Sequence, residues 1–279
     1  MTDSGHGIYV TGSFTNLVVR HGTVTGWTYQ GVDSYTAAYP CNMVFENLTI
    51  SANGGSGLYT EADSVVRDCL FIGNIGTGIT SVGGEITRCI SRQNGGDGID
   101  ISNGTLRQCR SENNSGYGLS LTSSRALDCE VSYNSSAAVN CLGIGDEIRG
   151  CRITFNQNTA IFCGAGNGAN IIADCLIANN TFYGIYTAGT GRSIITGNNF
   201  SQNAGGGIVL NDANNRVENN HVVTANGVVG IGSSSTNNVV VKNVVAGGGS
   251  ANYSSSFGDD FGPIGSAATA TSPWANISH

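Results

Sequence analysis

The sequence has little charge, almost no lysine and almost no proline. Among 279 residues, 11% are charged, 3 are proline and 12 are basic, and Lys242 is the only lysine. The formal net charge is −7, and the basic residues are scattered along the chain. Nucleic-acid binding requires a basic stripe that follows the phosphate backbone, so we do not expect a nucleic-acid partner.

Other common signals are missing as well. No run of about eighteen apolar residues is present, so we expect no membrane span. No segment shows the apolar periodicity of a helix. The first residues lack the basic and apolar regions of a signal peptide. Because the sequence starts inside a repeat, we expect a leader and an N-terminal cap to precede it in the native protein.

Glycine, by contrast, is abundant at 42 residues, and it belongs to a repeat. Each copy opens with Gly-Ile or Gly-Leu, continues to a cysteine, and has an asparagine five residues after that cysteine. In the most regular copies Gly78, Gly98 and Gly118 are twenty residues apart. A period of about 20 to 25 residues predicts a solenoid, whose coils must stack to bury their apolar faces.

Within each copy, apolar and polar residues alternate with the period of a β-strand. Ile99 and Ile101 are predicted to point inward and Asp100 outward. We therefore predict an all-β fold over residues 1–246, a single-stranded parallel β-helix of about eleven coils.

The repeat ends after Ala246. The last coil of a solenoid exposes its core and its strand edges, so something must cover them. We predict that residues 247–279 form a linker and a C-terminal cap. The predicted covering side chains are Phe257, Phe261, Ile264 and Trp274.

The cysteines recur at fixed positions of the repeat. Six share one position and two share another: Cys69, Cys89, Cys109, Cys129, Cys151 and Cys175, then Cys141 and Cys163. Parallel coils place equivalent side chains about 4.8 Å apart, whereas the Cβ atoms of a disulfide are roughly 3.5–4.5 Å apart. We therefore predict reduced thiols packed inside the coils, and the alternative is a column that binds metal.

Asparagines recur at two positions. In the later coils we assign Asn198, Asn219 and Asn243 to the cysteine position, where stacked amides can hydrogen-bond along the column. The second position is a turn, where Asn tolerates a left-handed φ and bonds the local backbone. Its members are Asn74, Asn94, Asn114, Asn134, Asn156, Asn180 and Asn203.

One early coil carries an insertion at residues 35–41. A loop that extends from one coil is a common place for function in a solenoid. The alternative is a flap that covers the open N-terminal end.

The run Gly-Asp-Gly-Ile-Asp-Ile at 96–101 and the stacked Cys and Asn columns resemble right-handed parallel β-helix proteins of the pectate-lyase-like superfamily. More narrowly, the chain is similar to bacterial right-handed parallel β-helix repeat proteins, which often end in a segment like Pro-Trp-Ala-Asn at 273–276. The resemblance covers nearly the whole chain. It implies a right-handed coil, but this coil hosts lyases, hydrolases, epimerases, tailspikes and non-catalytic surface proteins.

Polygalacturonases of this superfamily carry Asn-Thr-Asp on one coil, an Asp pair on the next, and Gly-His-Gly on a later one. Here residues 96–98 supply one Asp, residues 116–120 supply no Asp pair, and the Gly-His-Gly at 5–7 lies upstream. Inverting hydrolysis needs two carboxyl groups about 6.5–9.5 Å apart. Asp97 and Asp100 are our candidate catalytic pair, and the alternative is that they belong to a structural turn.

Lyases on this fold resemble one another in using an Arg or Lys base, with Ca²⁺ to neutralise the substrate. The base must project from the same face as the acidic cluster that holds Ca²⁺. We assign Arg67, Arg88 and Arg107 to a different wall from the two aspartates. We therefore expect no cofactor and no metal, and Ca²⁺ only if the protein is a lyase.

A binding face is easier to predict. The outward position two residues after the opening Gly or Ala reads Tyr9, Asp33, Tyr59, Thr80, Asp100, Ser120, Asn140, Phe162 and Tyr186, and the turn before it adds Asp97, Tyr117 and Tyr183. Aromatic rings among short polar side chains suit a polysaccharide. Our candidate substrate-binding residues are Tyr59, Tyr117, Asn140, Phe162 and Tyr186. The alternative is that these aromatics only reflect β-propensity.

The sequence favours a non-catalytic structural or carbohydrate-contacting β-helix protein, secreted or on the cell surface, with a polysaccharide or cell-surface glycan as partner. One alternative is a glycoside hydrolase or lyase that degrades an acidic glycan with Asp97 and Asp100. Another is a tailspike-like or fibre subunit, which requires oligomerisation. The sequence leaves open whether the protein is an enzyme.

Overall fold

The computed structural model consists of short β-strands joined by turns. The described residues are 5–10, 16–34, 42–61, 64–164, 166–248, 251–255 and 258–279. They contain no α-helix, and therefore no apolar helix of membrane-spanning length. The insertion at 35–41 and the predicted cap residue Phe257 lie outside them. The chain divides into two compact units, Met1–Ser136 and Ala137–His279.

In unit 1, Met1–Ser136, each complete coil contributes strands to three walls, and every strand pairs in parallel with its equivalents on adjacent coils. Wall 1 contains Ile8–Tyr9, Val32–Ser34, Leu58–Glu61, Ile79–Val82, Ile99–Ser102 and Leu119–Thr122. Wall 2 contains Val65–Arg67, Glu85–Thr87, Thr105–Arg107 and Arg125–Leu127. Wall 3 contains Leu70–Ile72, Ile90–Arg92, Arg110–Glu112 and Glu130–Ser132. Two eight-residue strands, Val18–Thr25 and Val44–Ser51, each run through walls 2 and 3.

Unit 2, Ala137–His279, has the same three kinds of wall. Wall 1 contains Val139–Cys141, Ile161–Cys163, Tyr183–Thr187, Gly206–Leu210, Ile231–Ser233 and Tyr253–Ser254. Wall 2 contains Glu147–Arg149, Ile171–Ala173, Ile194–Thr196, Arg216–Glu218, Val239–Val241 and Asp260–Phe261. Wall 3 contains Arg152–Thr154, Leu176–Ala178, Asn199–Ser201, His221–Val223, Val244–Ala246 and Asn276–Ser278. The short strand Ile264–Gly265 pairs with Asn276–Ser278.

Equivalent apolar side chains fill the interior of the coils. Ile99 pairs with Ile79 on one side and Leu119 on the other, and all three are fully buried. Burying such a side chain contributes roughly 1.5–3 kcal/mol, and only stacking achieves it because one coil has no second layer. The predicted all-β, right-handed parallel β-helix is confirmed.

The corners of unit 1 are made by single residues with left-handed backbone. Gln93 (φ 56°) and Asn113 (φ 55°) precede Asn94 and Asn114, and both of these asparagines are buried. A residue at positive φ bends the chain at the corner and interrupts the alternation of the strand, so the next side chain points into the coil. The left-handed residue of the turn is therefore the one before each column asparagine, and the asparagine itself points inward.

The asparagine column of unit 1 is a continuous hydrogen-bonded ladder. Each Nδ2 donates to the Oδ1 of the next asparagine, from Asn53 to Asn74 (2.9 Å), on to Asn94 (3.0 Å), Asn114 (3.0 Å) and Asn134 (3.0 Å). The same Oδ1 atoms accept backbone N–H groups, so the buried amides are paired. The predicted column is confirmed, and Asn53 extends it by one coil. In unit 2 the same column is formed by Asn156, which donates to Asn180 (3.0 Å), and Asn180, which donates to Asn203 (2.9 Å).

Unit 2 contains a second ladder at the cysteine position. Asn198 donates to Asn220 (3.0 Å), and Asn220 donates to Asn243 (3.0 Å). The assignment of Asn219 was wrong, since Asn219 is exposed with φ 57° and Asn220 points inward. Asn243 donates in turn to Asn276 (3.2 Å), so the ladder continues into the C-terminal segment.

The C-terminal segment adds further strands to unit 2. Asp260–Phe261 pairs with Val239–Val241, and Asn276–Ser278 pairs with Val244–Ala246. Ile264 and Trp274 are half exposed. The C-terminal segment is therefore attached to the last coils mainly by strand pairing and by the buried Asn276. Ile264 and Trp274 contribute less, because half of each side chain is exposed. The boundary at residue 246 stays a prediction.

The eight cysteines among the described residues are buried free thiols. Cys109 Sγ donates to the carbonyl oxygens of Ile86 (3.3 Å) and Arg107 (3.4 Å). Its contact with the Cys129 thiol, and then its burial, raise the pKa of Cys109 to about 12. Metal binding and nucleophilic attack both need a thiolate, so the neutral Cys109 thiol serves as a small apolar residue. Cys41 lies outside the described residues.

Candidate functional site

The structure brings the predicted outward residues of unit 1 into one row. Tyr9, Asp33, Tyr59, Thr80, Asp100 and Ser120 follow one another in register on wall 1. Tyr59 and Asp100 are half-buried, whereas Ser120 is buried. Arg67 and Arg107 lie on wall 2, and Arg88 lies in the turn between walls 2 and 3. None of the three lies on the wall of the two aspartates, as predicted.

Asp97 and Asp100 lie near each other at the start of a wall 1 strand. Asp97 Oδ1 accepts a hydrogen bond from the backbone N–H of Tyr117 at 2.8 Å. Gly116 makes room for this carboxylate, because a Cβ there would lie 2.2 Å from Asp97 Oδ1. The alternating strand and the glycine turn therefore fix both acidic side chains on the outer surface.

The two carboxyl groups have perturbed acidity. Burial raises the pKa of Asp97, against the opposing hydrogen bond from Tyr117. Burial also raises the pKa of Asp100, and repulsion from the Asp97 charge adds to this effect. Two close carboxyl groups with raised pKa values can share the roles of proton donor and acceptor.

A second titratable cluster of unit 1 was missed from the sequence. The His6 ring stacks on Tyr9 at a centroid distance of 5.0 Å and lies 5.4 Å from the Tyr29 ring. His6 Nδ1 lies 3.6 Å from Asp33 Oδ2. Tyr9 and Asp33 were in the predicted row, but His6 and Tyr29 reach it from turns that have no fixed place in the repeat.

Unit 2 presents a surface cleft walled by aromatic rings. Its volume is about 320 Å³, and its lining residues are Asn158, Thr159, Phe162, Phe182, Tyr183 and Tyr186. We call these six residues the aromatic cleft. Sequence reasoning identified Phe162, Tyr183 and Tyr186 on this face and missed the others. The only sequence signal for Phe182 was its place next to Tyr183, just before the opening Gly184.

The rings of the aromatic cleft hold one another in place. Phe162 and Tyr186 are register partners on wall 1, and their rings are stacked at 5.9 Å with an interplanar angle of 5°. Tyr183 stacks on Tyr186 at 5.5 Å, and Phe182 meets Tyr183 edge to face at 4.4 Å. Such contacts restrict the rings before any ligand arrives.

Neighbouring residues leave space for these rings. A Cβ at Gly164 would lie 2.8 Å from Phe162 Cε1, so glycine allows the ring to lean over the strand. Tyr183 pairs with Gly206, which has no side chain to cover it. The Tyr186 hydroxyl accepts a hydrogen bond from Asn211 Nδ2 at 3.2 Å.

Two of the other candidate binding residues take different positions. Asn140 is the register partner of Phe162 but is only 4% exposed, so it offers little surface to a ligand. Tyr117 is half-buried in unit 1, where its backbone holds Asp97.

A larger cleft of about 510 Å³ lies in the C-terminal part of unit 2. Its lining residues are Arg216, Val239, Val241, Asp260, Gly262, Pro263, Ser272 and Trp274. Lys242 Nζ lies 4.3 Å from the centroid of the Trp274 ring, and Arg216 is paired with Glu218 at 2.6 Å. The basic groups at this cleft are therefore already engaged within the protein.

Residues 1–136 and 137–259 both match the sequence model of the family described as "Right handed beta helix region". The chain belongs to the right-handed β-helix family. The two matched segments meet where the two compact units meet. No curated protein sequence matches this β-helix protein.

Solved structures share the fold at low sequence identity. The mannuronan C-5 epimerase AlgE6 A-module of Azotobacter vinelandii is 15% identical, with a TM-score of 0.66 over 96% of this chain and 75% of that one. The Dettilon tailspike protein is also 15% identical, with a TM-score of 0.69 over 94% of this chain and 62% of that one. The PL6 family polysaccharide lyase Pedsa3628 from Pseudopedobacter saltans is 12% identical, with a TM-score of 0.54 over 98% of this chain and 91% of that one. These likenesses concern the fold alone.

Proposed function

We propose that this β-helix protein binds a carbohydrate through the aromatic cleft of unit 2. The observation that supports this most is the set of four mutually packed rings at the surface, bordered by Asn158 and Thr159. The proteins of similar fold named as a mannuronan C-5 epimerase and a polysaccharide lyase also favour a saccharide as the ligand class.

The chemistry of the cleft suits a sugar ring. A pyranose has apolar C–H groups that pack on aromatic carbon and hydroxyl groups that need donors and acceptors. The cleft supplies rings from Phe162 and Tyr183, hydroxyl groups from Tyr183 and Tyr186, and the exposed amide of Asn158. Its volume lies near the lower limit of known ligand pockets, about 300 Å³, so it fits a short stretch of a glycan.

The rings also reduce the cost of binding. An aromatic side chain has only two rotatable bonds, and those of Phe162 and Tyr186 are already restricted by stacking. A preorganised surface loses little conformational freedom when a ligand binds. Contacts with a sugar therefore contribute more to the affinity than they would on a flexible surface.

Removal of either stacked ring is expected to weaken glycan binding. Phe162→Ala and Tyr186→Ala should each lower the affinity by about tenfold or more, because truncating a central aromatic contact costs at least about 1.4 kcal/mol. The measurement is retardation of the protein in native gels that contain soluble polysaccharides, over a panel of neutral and acidic polymers.

The matched control is Phe155→Ala. Phe155 is exposed on unit 2 but does not line the cleft. Retardation should be the same in this variant as in the wild type. If the cleft variants are retarded as strongly as the control, the aromatic cleft is not the binding site.

A second candidate function is acid–base catalysis on a glycan by Asp97 and Asp100 of unit 1. The raised pKa values of both carboxyl groups favour it, because a general acid must keep its proton near the working pH. Under this hypothesis Asp97→Asn and Asp100→Asn abolish the release of reducing ends or unsaturated products from the polysaccharide panel.

The melting temperatures of Asp97→Asn and Asp100→Asn test whether the two carboxyl groups are partly buried. A folded-state pKa raised above the unfolded value, about 3.9, means that the native state is destabilised as the pH rises past that value. Each of the two variants should therefore melt a few degrees above the wild type at pH 7 and gain nothing at pH 3. In Asp97→Asn the amide oxygen can still accept the Tyr117 N–H. A lower melting temperature at pH 7 would contradict the assigned burial.

Two other hypotheses stay predictions. A tailspike-like or fibre subunit should elute as a trimer or larger from a sizing column. Secretion or surface display requires localisation of the native protein in its own cells.

A further inference from the structure

We infer that the aromatic cleft selects uncharged saccharides and rejects polyuronates. This inference rests on the proposed function, because it names the ligand class of the same site. Three arguments support the inference: the lining of the cleft is uncharged, the cations of unit 2 lie elsewhere, and burying a carboxylate is costly.

The lining carries no formal charge. All six residues of the aromatic cleft are amide, hydroxyl or aromatic side chains. The row of outward wall 1 residues that contains Phe162 and Tyr186 is uncharged along the whole of unit 2. Its members are Asn140, Phe162, Tyr186, Val209, Gly232 and Ser254.

The described cations of unit 2 lie elsewhere in the coils. They occur on walls 2 and 3, in the turns that join or lead to those walls, or at the last residue: Arg149, Arg152, Arg192, Arg216, His221, Lys242 and His279. Several are already paired, such as Arg149 with Asp174 at 2.8 Å and Arg216 with Glu218 at 2.6 Å. The sequence places no Lys, Arg or His at positions 165, 249, 250, 256 and 257, which complete unit 2.

A uronate would lose solvation in this cleft without gaining a charged partner. Desolvating a carboxylate is costly unless a cation or several strong donors replace the water. Recognition of carboxylates in proteins usually relies on Arg or Lys for this reason. A neutral sugar has no such penalty, since its hydroxyl groups match the Asn158 amide and the tyrosine hydroxyls.

The charge of the protein acts in the same direction over a longer range. The net charge is −7, so a polyanionic chain is repelled as it approaches, while a neutral polymer is not. This repulsion is screened at high salt, whereas the local desolvation cost remains.

The test uses polysaccharides that differ in charge on one backbone. Suitable pairs are highly methyl-esterified pectin with de-esterified pectin, alginate propylene glycol ester with alginate, and hydroxyethyl cellulose with carboxymethyl cellulose. Native gels at low and high ionic strength measure retardation of the full chain. We expect the neutral member of at least one pair to bind at least about tenfold more tightly, with little dependence on salt.

Two variants assign this selectivity to the cleft. Phe162→Ala should remove the retardation by the neutral polymer. Asn158→Lys introduces a cation at an exposed position of the rim, and it should increase retardation by the acidic member of the same pair at low salt. Phe155→Lys adds the same charge outside the cleft and should leave the preference unchanged.

The outcomes separate the two proposals. Tighter binding of the acidic member by the wild type, weakened by Phe162→Ala, would overturn the inference and leave carbohydrate binding in place. Equal binding of both members would overturn the inference in the same way. Absence of retardation by every polymer would overturn carbohydrate binding, and the inference with it.

Discussion

Replacing Asn114 by alanine should lower the free energy of unfolding of unit 1 by about 3–5 kcal/mol. Asn114 Nδ2 donates to Asn134 Oδ1 (3.0 Å), Ser91 O (3.2 Å) and Ser111 Oγ (3.1 Å). Its Oδ1 accepts the backbone N–H of Asn94 at 3.1 Å and Asn94 Nδ2 at 3.0 Å. Alanine removes all of these bonds at once.

The cost is large because the partners cannot turn to water. Asn94, Asn134, Ser91 and Ser111 are all buried. A buried polar group that loses its partner costs about 1–3 kcal/mol, and the truncation leaves a backbone N–H and a carbonyl oxygen among the unpaired groups. The ladder is also shared between coils, so the damage extends beyond the coil that carries the substitution.

The measurement is equilibrium unfolding in urea, followed by circular dichroism. The matched control is Asn113→Gly at the neighbouring position, which is exposed with φ 55°. Glycine adopts positive φ without strain, so this control should change the stability by less than about 1 kcal/mol. Equal stability of Asn114→Ala and the wild type would show that the ladder contributes nothing to the fold.

Replacing Cys109 by aspartate is expected to unfold the middle coils of unit 1 at neutral pH. Cys109 is 2% exposed, and its neighbours in the column are the buried Cys89 and Cys129. A carboxylate in this stack would lose its hydration, and the nearby Arg88 is already paired with Asp68 at 2.8 Å, so we expect a loss of about 4 kcal/mol or more. Thermal unfolding followed by circular dichroism measures this loss.

The pH dependence of this variant identifies the cause. Burial raises the folded-state pKa of the new carboxyl group above its unfolded value of about 3.9, so the folded state binds the extra proton. Stability must then fall as the pH rises from about 4 toward the folded-state pKa. The variant should therefore be closer to the wild type at pH 4 than at pH 8.

Cys109→Ala serves as the control for lost volume. It removes only the sulfur atom, so it should cost about 1 kcal/mol and show no added pH dependence. If Cys109→Asp melts at the temperature of the wild type at pH 8, the side chain at this position does not point into the coil.

The asparagine ladders show which inward-pointing residues could be predicted from the sequence repeat alone. Coils of twenty residues gave the unit 1 column correctly from Asn74 to Asn134. The repeat also gave the Asn156, Asn180 and Asn203 column of unit 2 correctly. At the cysteine position of unit 2 the ladder spacings are 22 and 23 residues, and Asn219 and Asn220 are adjacent and chemically identical. Only the pairing of the backbone decides which of the two points inward, because a shift of one residue exchanges the two faces.

Some residues of the candidate sites could likewise be predicted from the repeat, and others could not. Asp97, Asp100, Phe162 and Tyr186 could be named from the sequence because they occupy fixed positions of a strand or its turn. Whether these residues act on or bind a glycan stays a prediction. Phe182 and the His6 cluster could not be named, since they enter from turns whose length and direction vary from coil to coil.

The resemblance to known proteins implied the right-handed sense of the coil. The period and alternation of the sequence by themselves determined the parallel β-helix, the buried cysteine stack and the outward row of wall 1. These features follow from period and alternation, which every coil repeats and which adjacent coils must share in order to pair. The tertiary structure decided the burial of Asn140, the raised pKa values of Asp97 and Asp100, and the packing of four rings into one cleft. Such properties depend on contacts between coils and on the conformation of single turns, and a repeat pattern does not encode them.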